Sequence, residues 1–266
     1  QVLAKASMPV LRVKYVKERI WWNPFTWFGS RADSGRCGPF QDRLRWQDLV
    51  PIVNCGDQKV CVESSTVKGM KWLELGIYAR IGEYHIYQSW HLSEDGELRP
   101  VVQSRGLSCN TDHVHHPYWR FDFDINGSSN DQIQGNIITA YETRLTEFDA
   151  SASDASNHGW RVRDSVTGNF VDVLPGFTDF TIPPGYGSTL PVAGYSHNRV
   201  FGRLFKATED NGWPGSPGVP QTPVPNNNSE SINNQDLLFW YEGYLPHSPA
   251  EGSALWHSTG VRLVVN

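Results

Sequence analysis

The chain has 266 residues, 39% of them hydrophobic and 19% charged, with a formal net charge of −5. That length is ample for a hydrophobic core and allows one large β domain or two smaller ones. The mild negative charge gives no reason to expect nucleic acid as a partner, and no apolar run is long enough to cross a bilayer as a helix.

Residues 8–16 alternate apolar and polar around Val13 and Tyr15 and read as a strand. Residues 21–48 are aromatic and Gly-rich without a period, so they read as loop and short strand, with a turn from Asp33 to Gly38. Strands are expected at 49–62, interrupted by a Cys55–Cys61 turn, at 70–80 and at 82–92. Glu94-Asp-Gly96 makes a hairpin turn into a return strand at 97–106. A histidine-rich strand spans 112–124 and is closed by Asn126-Gly127. Further strands are expected at 135–148, 159–164 and 169–174, before a Gly/Pro-rich stretch from Pro183 to Gly194. A short helix is expected at 196–208, and a long surface loop or lid rich in Pro, Asn, Gly and Ser at 211–234. Strongly apolar strands at 236–245 and 260–265 close the chain. Helical periodicity is almost absent, so the expected fold is an all-β antiparallel sandwich, without internal repeat or linker, forming a single domain over 1–266. Eleven Trp, ten Tyr and twelve Phe against two Met fit such a rigid architecture.

Four cysteines (Cys37, Cys55, Cys61, Cys109) suit a secreted, disulfide-bearing protein; four allow three pairings, and Cys55–Cys61 is the most local. The start at Gln1 reads as a processed or trimmed end. Asn126-Gly-Ser and Asn227-Asn-Ser are glycosylation sequons that matter in a eukaryotic secreted chain.

Three of the nine histidines fall within four positions, in Asp112-His-Val-His-His116. On a strand His113 and His115 share one face, because side chains alternate with period two. Neutral imidazole is the commonest metal ligand, and a His-x-His pair aims two nitrogens at one point. Imidazole suits copper, zinc, iron or nickel better than calcium or magnesium. The alternative is a polar sheet face of hydrogen-bonded histidines. His116 points to the other face and reads as structural.

The segment 236–247, Asp-Leu-Leu-Phe-Trp-Tyr-Glu-Gly-Tyr-Leu-Pro-His, resembles the part of copper amine oxidases that ends in their third copper histidine. His113-Val-His115 followed by Arg120-Phe-Asp122 resembles their His-x-His strand. Tyr84-His-Ile-Tyr-Gln-Ser-Trp90 resembles the segment with their quinone-forming Tyr and the Trp six residues on. Asp95-Gly96 and Gly106 fit the hairpin of the same family. Ala6 to Tyr15 is similar to the strand with their active-site Tyr, and Asp33-Ser-Gly35 with Gly38 to the loop holding their catalytic Asp. These motifs stand in the family's order over nearly the whole chain, which is similar to a shortened catalytic β-sandwich without the usual N-terminal domains.

This resemblance implies a copper site of His113, His115 and His247, with Tyr84 as the precursor of topaquinone, Asp33 as the general base and Tyr15 as the hydrogen-bond partner of the cofactor. Asp122 and Asp236 match acids that bind a second, peripheral cation, for which calcium is the natural expectation; a surface acid pair beside Arg120 is the other reading. The implied reaction takes a primary amine and O2 to an aldehyde, ammonia and peroxide. The implied partners are a small-molecule substrate and a second copy of the chain. Glu83 and His85 depart from the family, which has Asn before the quinone Tyr and an acid after it. Two other functions therefore stay open: a copper enzyme with an unmodified Tyr84, performing another oxidation or a redox-neutral step on a specialised metabolite, and a non-enzymatic metal- or glycan-binding sandwich. By coordination alone zinc fits three histidines equally well.

Overall fold

A computed structural model describes residues 1–15, 40–42, 50–51, 60–81, 83–107, 112–137, 140–151, 159–175, 198–207 and 223–266. In chain order the strands are β1 (Leu3–Tyr15), β2 (Phe40–Asp42), β3 (Val50–Pro51), β4 (Cys61–Val67), β5 (Met70–Ile81), β6 (Tyr84–Ser93), β7 (Glu97–Arg105), β8 (His113–Phe123) and β9 (Asp131–Ile137). They continue with β10 (Ala140–Arg144), β11 (Phe148–Ser151), β12 (Trp160–Asp164), β13 (Phe170–Pro175), β14 (Arg199–Leu204), β15 (Leu237–Glu242), β16 (Leu245–His247) and β17 (His257–Val265). The fold is the expected all-β sandwich. One sheet runs β11-β14-β15-β8-β1-β2, with β16 on β8; the other runs β10-β9-β12-β13-β17-β7-β6-β5-β3, with β4 on β5. Every pairing among these strands is antiparallel.

Alternation drives the packing. Trp119, Phe121 and Phe123 of β8 pack with Phe239 and Tyr241 of β15 against Val162, Val173, Val261 and Leu263 of the opposite sheet, all buried in one cluster. Each such side chain contributes about 1.5–3 kcal/mol of burial. β8 is nearly all buried because both faces are covered: Tyr118 joins a second cluster with Phe201, Leu238 and Trp240.

Several expectations change. The single strand at 135–148 is three strands, and the chain changes sheets between β10 and β11, since β11 pairs with β14. The helix at 196–208 is strand β14, held between β11 and β15. Two ladders satisfy its backbone there, and no room exists at Gly202, where a Cβ would overlap Phe148 and lie 2.9 Å from Ile133 Cδ1. The last strand begins at His257, not at residue 260. Finally, the described part of the stretch read as a lid, 223–234, is sewn down. Val224 is buried, Arg203 Nε donates to Pro225 O at 2.8 Å, Asn228 N donates to Glu147 Oε2 at 2.7 Å, and Ile232 N donates to Leu145 O at 3.0 Å. Residues 211–222 lie outside the described residues, as do Asp33, Cys37, Cys55 and Cys109; Cys61 is buried and is not a free thiol.

Candidate metal centre

β8 supplies His113 and His115 to the face that looks into the sandwich. β16 runs beside its first residues with His247 paired to His113 and Leu245 to His115, so the third imidazole arrives in register. The bend that separates β15 from β16 is built at Gly243, whose N–H donates to Pro117 O at 2.9 Å; a Cβ there would meet Trp119 at 2.9 Å and Thr259 at 3.0 Å. The three ring centroids form a triangle of sides 5.1, 5.1 and 4.9 Å. The three rings are thus gathered around one point of the interior, while the closer convergence of ligand atoms, within 4.8 Å of one another, is met among the described residues by Asp122, Asp124 and Asp236.

All three histidines are buried. Among the described residues, neither ring nitrogen of His115 has a hydrogen-bond partner, nor does Nε2 of His247. Buried polar nitrogens without partners cost about 1–3 kcal/mol each, a cost that coordination to a metal would remove. Burial pushes the imidazolium of His247 down to about 2, helped by His257 and His113. Burial, followed by His247 and His113, holds His115 well below the ordinary histidine range. These rings are therefore neutral, the form that ligates metal.

Tyr84 reaches the triangle from β6, in the opposite sheet. Its hydroxyl lies 3.2 Å from His113 Nε2, and its ring centre is 4.9 Å from that of His115. Glu83 and His85 do not join it. Glu83 is exposed and pairs with Arg80 at 3.1 Å, and His85 alternates to the other face of β6, where burial and Arg105 lower its pKa. Gly106 lets the chain pass at this point: its φ is +110°, and a Cβ would overlap the Glu83 carbonyl oxygen. Tyr15 ends β1 with its backbone paired to His113. Asp33 lies outside the described residues. His116 faces the other way, with Nδ1 3.0 Å from Glu242 Oε1. Arg120, buried, has Nη1 3.8 Å from Asp122 Oδ2.

Carboxylate oxygens of Asp122, Asp124 and Asp236 come within 4.8 Å of one another. Sequence reasoning points to Asp122 and Asp236 and misses Asp124, although the Asp-Phe-Asp alternation of 122–124 carries both acids to one face. Burial and the neighbouring Asp124 raise the carboxyl of Asp236, against Arg120. Burial pushes nearby Asp131 up to about 7, with Asp164, Asp124 and Asp236 adding to it. Three hard oxygen donors in such a field suit calcium.

No protein-family model matches this sequence, and no well-characterised protein matches it at the sequence level. Solved structures do match. The chain superposes over its full length on 55% of the copper-containing benzylamine oxidase of Hansenula polymorpha, with a TM-score of 0.61 and 10% identity. It matches 48% of the lysyl oxidase of Pichia pastoris and 47% of the amine oxidase of Aspergillus nidulans, each with a TM-score of 0.58 and 14% identity. The chain spans about half the length of these proteins, and what it shares with copper amine oxidases is the fold.

Proposed function

We propose that this chain is a copper-dependent oxidoreductase of the amine-oxidase type, with His113, His115 and His247 holding the metal and Tyr84 as the precursor of topaquinone. The observation that carries the reading is the buried triangle of imidazoles, with partnerless nitrogens on His115 and His247, set against a tyrosine hydroxyl from the opposite sheet. Copper, when bound, supplies the one-electron chemistry and the activation of dioxygen that tyrosine oxidation needs. The chain's own contributions are positional. Tyr84 is 6% exposed and anchored through His113, so water is kept from its ring. Asp33 acts as the base that removes the α-proton of the substrate, and Tyr15 as the donor that orients the cofactor. Asp122, Asp124 and Asp236 hold calcium away from the reacting atoms. The overall reaction converts a primary amine, O2 and water into an aldehyde, ammonia and hydrogen peroxide, in a secreted protein whose residues 1–266 form one domain and which pairs with a second copy of itself.

A second reading keeps Tyr84 as tyrosine. It is favoured by the contact of its hydroxyl with His113 Nε2 and by Glu83 and His85 at its flanks. The tryptic peptide Ile81–Arg105 from copper-loaded, aerated protein decides between them by mass (the Arg99-Pro100 bond resists trypsin). Addition of two oxygens with loss of two hydrogens at Tyr84 is expected. An unmodified peptide from protein with bound copper overturns the quinone and leaves the second reading.

A further inference from the structure

We propose that Glu251 and His257 form a clasp that orients the third metal-ligating histidine, His247; the proposal rests on the metal centre argued above. His247 is the last residue of the three-residue strand β16, so the ladder stops holding the chain where the ligand leaves it. Beyond it the chain makes a single 3-10 turn, Pro249–Glu251, closed by a capping box: Ala250 N donates to Ser248 Oγ at 3.4 Å and Ser248 N donates to Glu251 Oε2 at 3.3 Å. Two orphan donors are satisfied reciprocally in this arrangement.

The same Oε2 does a second job. It lies 3.2 Å from Nε2 of His257, whose ring centre is 4.3 Å from that of His247, with the two planes at 48°. His257 opens β17 in the opposite sheet and is paired to Ser104 of β7. One carboxylate oxygen therefore holds both the backbone N–H immediately after His247 and the imidazole packed on the His247 ring. The clasp spans the two sheets, with His247 fixed to β8 on one side and His257 to β7 on the other. A carboxylate on one ring nitrogen selects the tautomer that carries a proton there, which fixes the ring of His257, and His257 in turn packs on the ring of His247. Nothing else in the chemistry argued above uses Glu251 or His257, and a surface-accessible glutamate reaching inward to a buried histidine beside a ligand is otherwise unexplained. The pair positions a ligand; neither residue touches the reacting atoms.

The test titrates the full metal-free chain with copper(II) in competition with a chelator and records the EPR spectrum of the copper-loaded protein. H247A probes the centre; E251Q, H257F and H257Q probe the clasp. Glu251 is 37% exposed on its side chain, so E251Q leaves the packing intact. Wild-type protein is expected to bind one copper, and H247A to lose it. E251Q and H257F are expected to bind about tenfold more weakly with altered copper hyperfine splitting, the low end of the loss when a partner hydrogen-bonded to a ligand is removed, since here His257 packs on the ligand ring. H257Q, which retains a donor for Glu251, is expected to recover part of the loss. Wild-type binding with H257F and E251Q within twofold of it and the same EPR spectrum overturns the clasp while leaving the centre standing. Wild-type protein that binds no copper, or H247A that binds as wild type, overturns the centre and the clasp together.

Discussion

The burial of the histidine triangle makes a quantitative claim about pH. Lowering the pH from about 7.5 to about 4.5 protonates an ordinary histidine, pKa about 6.5, so that a metal must displace a proton at a cost of about a hundredfold in affinity per ligand. Three exposed histidines would lose about a millionfold over that range. Here burial pushes His247 down to about 2, so it binds no proton at pH 4.5 in the folded, metal-free chain, and burial makes His115 take up a proton less readily than a free imidazole. The expected loss in copper affinity is below the share of two ordinary histidines, about ten-thousandfold. Competition titration at the two pH values, corrected for protonation of the chelator, measures it. A loss of ten-thousandfold or more would refute the claim that these rings are held neutral by burial. The metal-free fold bears the complementary cost: its histidines accept protons less readily than those of the unfolded chain, so their contribution to stability is present above about pH 6.5 and declines as the pH falls below it.

Glu74, with burial and Glu63 raising its carboxyl to about 7, works with the opposite sign. Its neutral form suits the fold, so stability is full below about pH 4.5 and is lost as the pH rises through 7; E74Q should exceed wild type by up to about 3 kcal/mol in urea unfolding at pH 8 and lie within about 1 kcal/mol at pH 5. Equal stabilities at pH 8 would count against it. Gly202→Ala should destabilise by about 3 kcal/mol, because Phe148 is held on Trp160, with ring centres 4.9 Å apart, and has little room to yield to a Cβ; a thermal melt within two degrees of wild type would contradict this. Calcium at about a hundred times its dissociation constant should stabilise by about 3 kcal/mol, and Asp124→Asn should abolish that gain in calorimetric scans.

Much of the site is legible along the chain. His-x-His on a strand declares a shared face from its spacing, and the β6–β7 hairpin declares itself through Glu94-Asp-Gly96, with Gly96 at φ +93°. The third ligand comes through the likeness of 236–247 to a known segment, not through any period of its own. His257 escapes a reading that begins the final strand at Gly260; an apolar run marks where a strand is deeply buried, not where its ladder starts. Arg199-Val-Phe-Gly-Arg-Leu reads ambiguously because a short apolar run fits helix and strand alike, and the ladders to β11 and β15 resolve it. Asp124 is easily overlooked, although the same alternation that pairs His113 with His115 pairs it with Asp122.

By itself the sequence determined the class of the fold and the face on which each short motif stands, because period-two alternation and turn chemistry act between neighbours along the chain. Only the tertiary structure decided which sheet each strand joins, and with it the meeting of Tyr84 from one sheet with His113, His115 and His247 from the other. It also decided that Glu83 and His85 turn away and that His257 turns in. Sheet membership is set by which faces bury together across about 10 Å of core, and that choice is made by residues far apart in the chain.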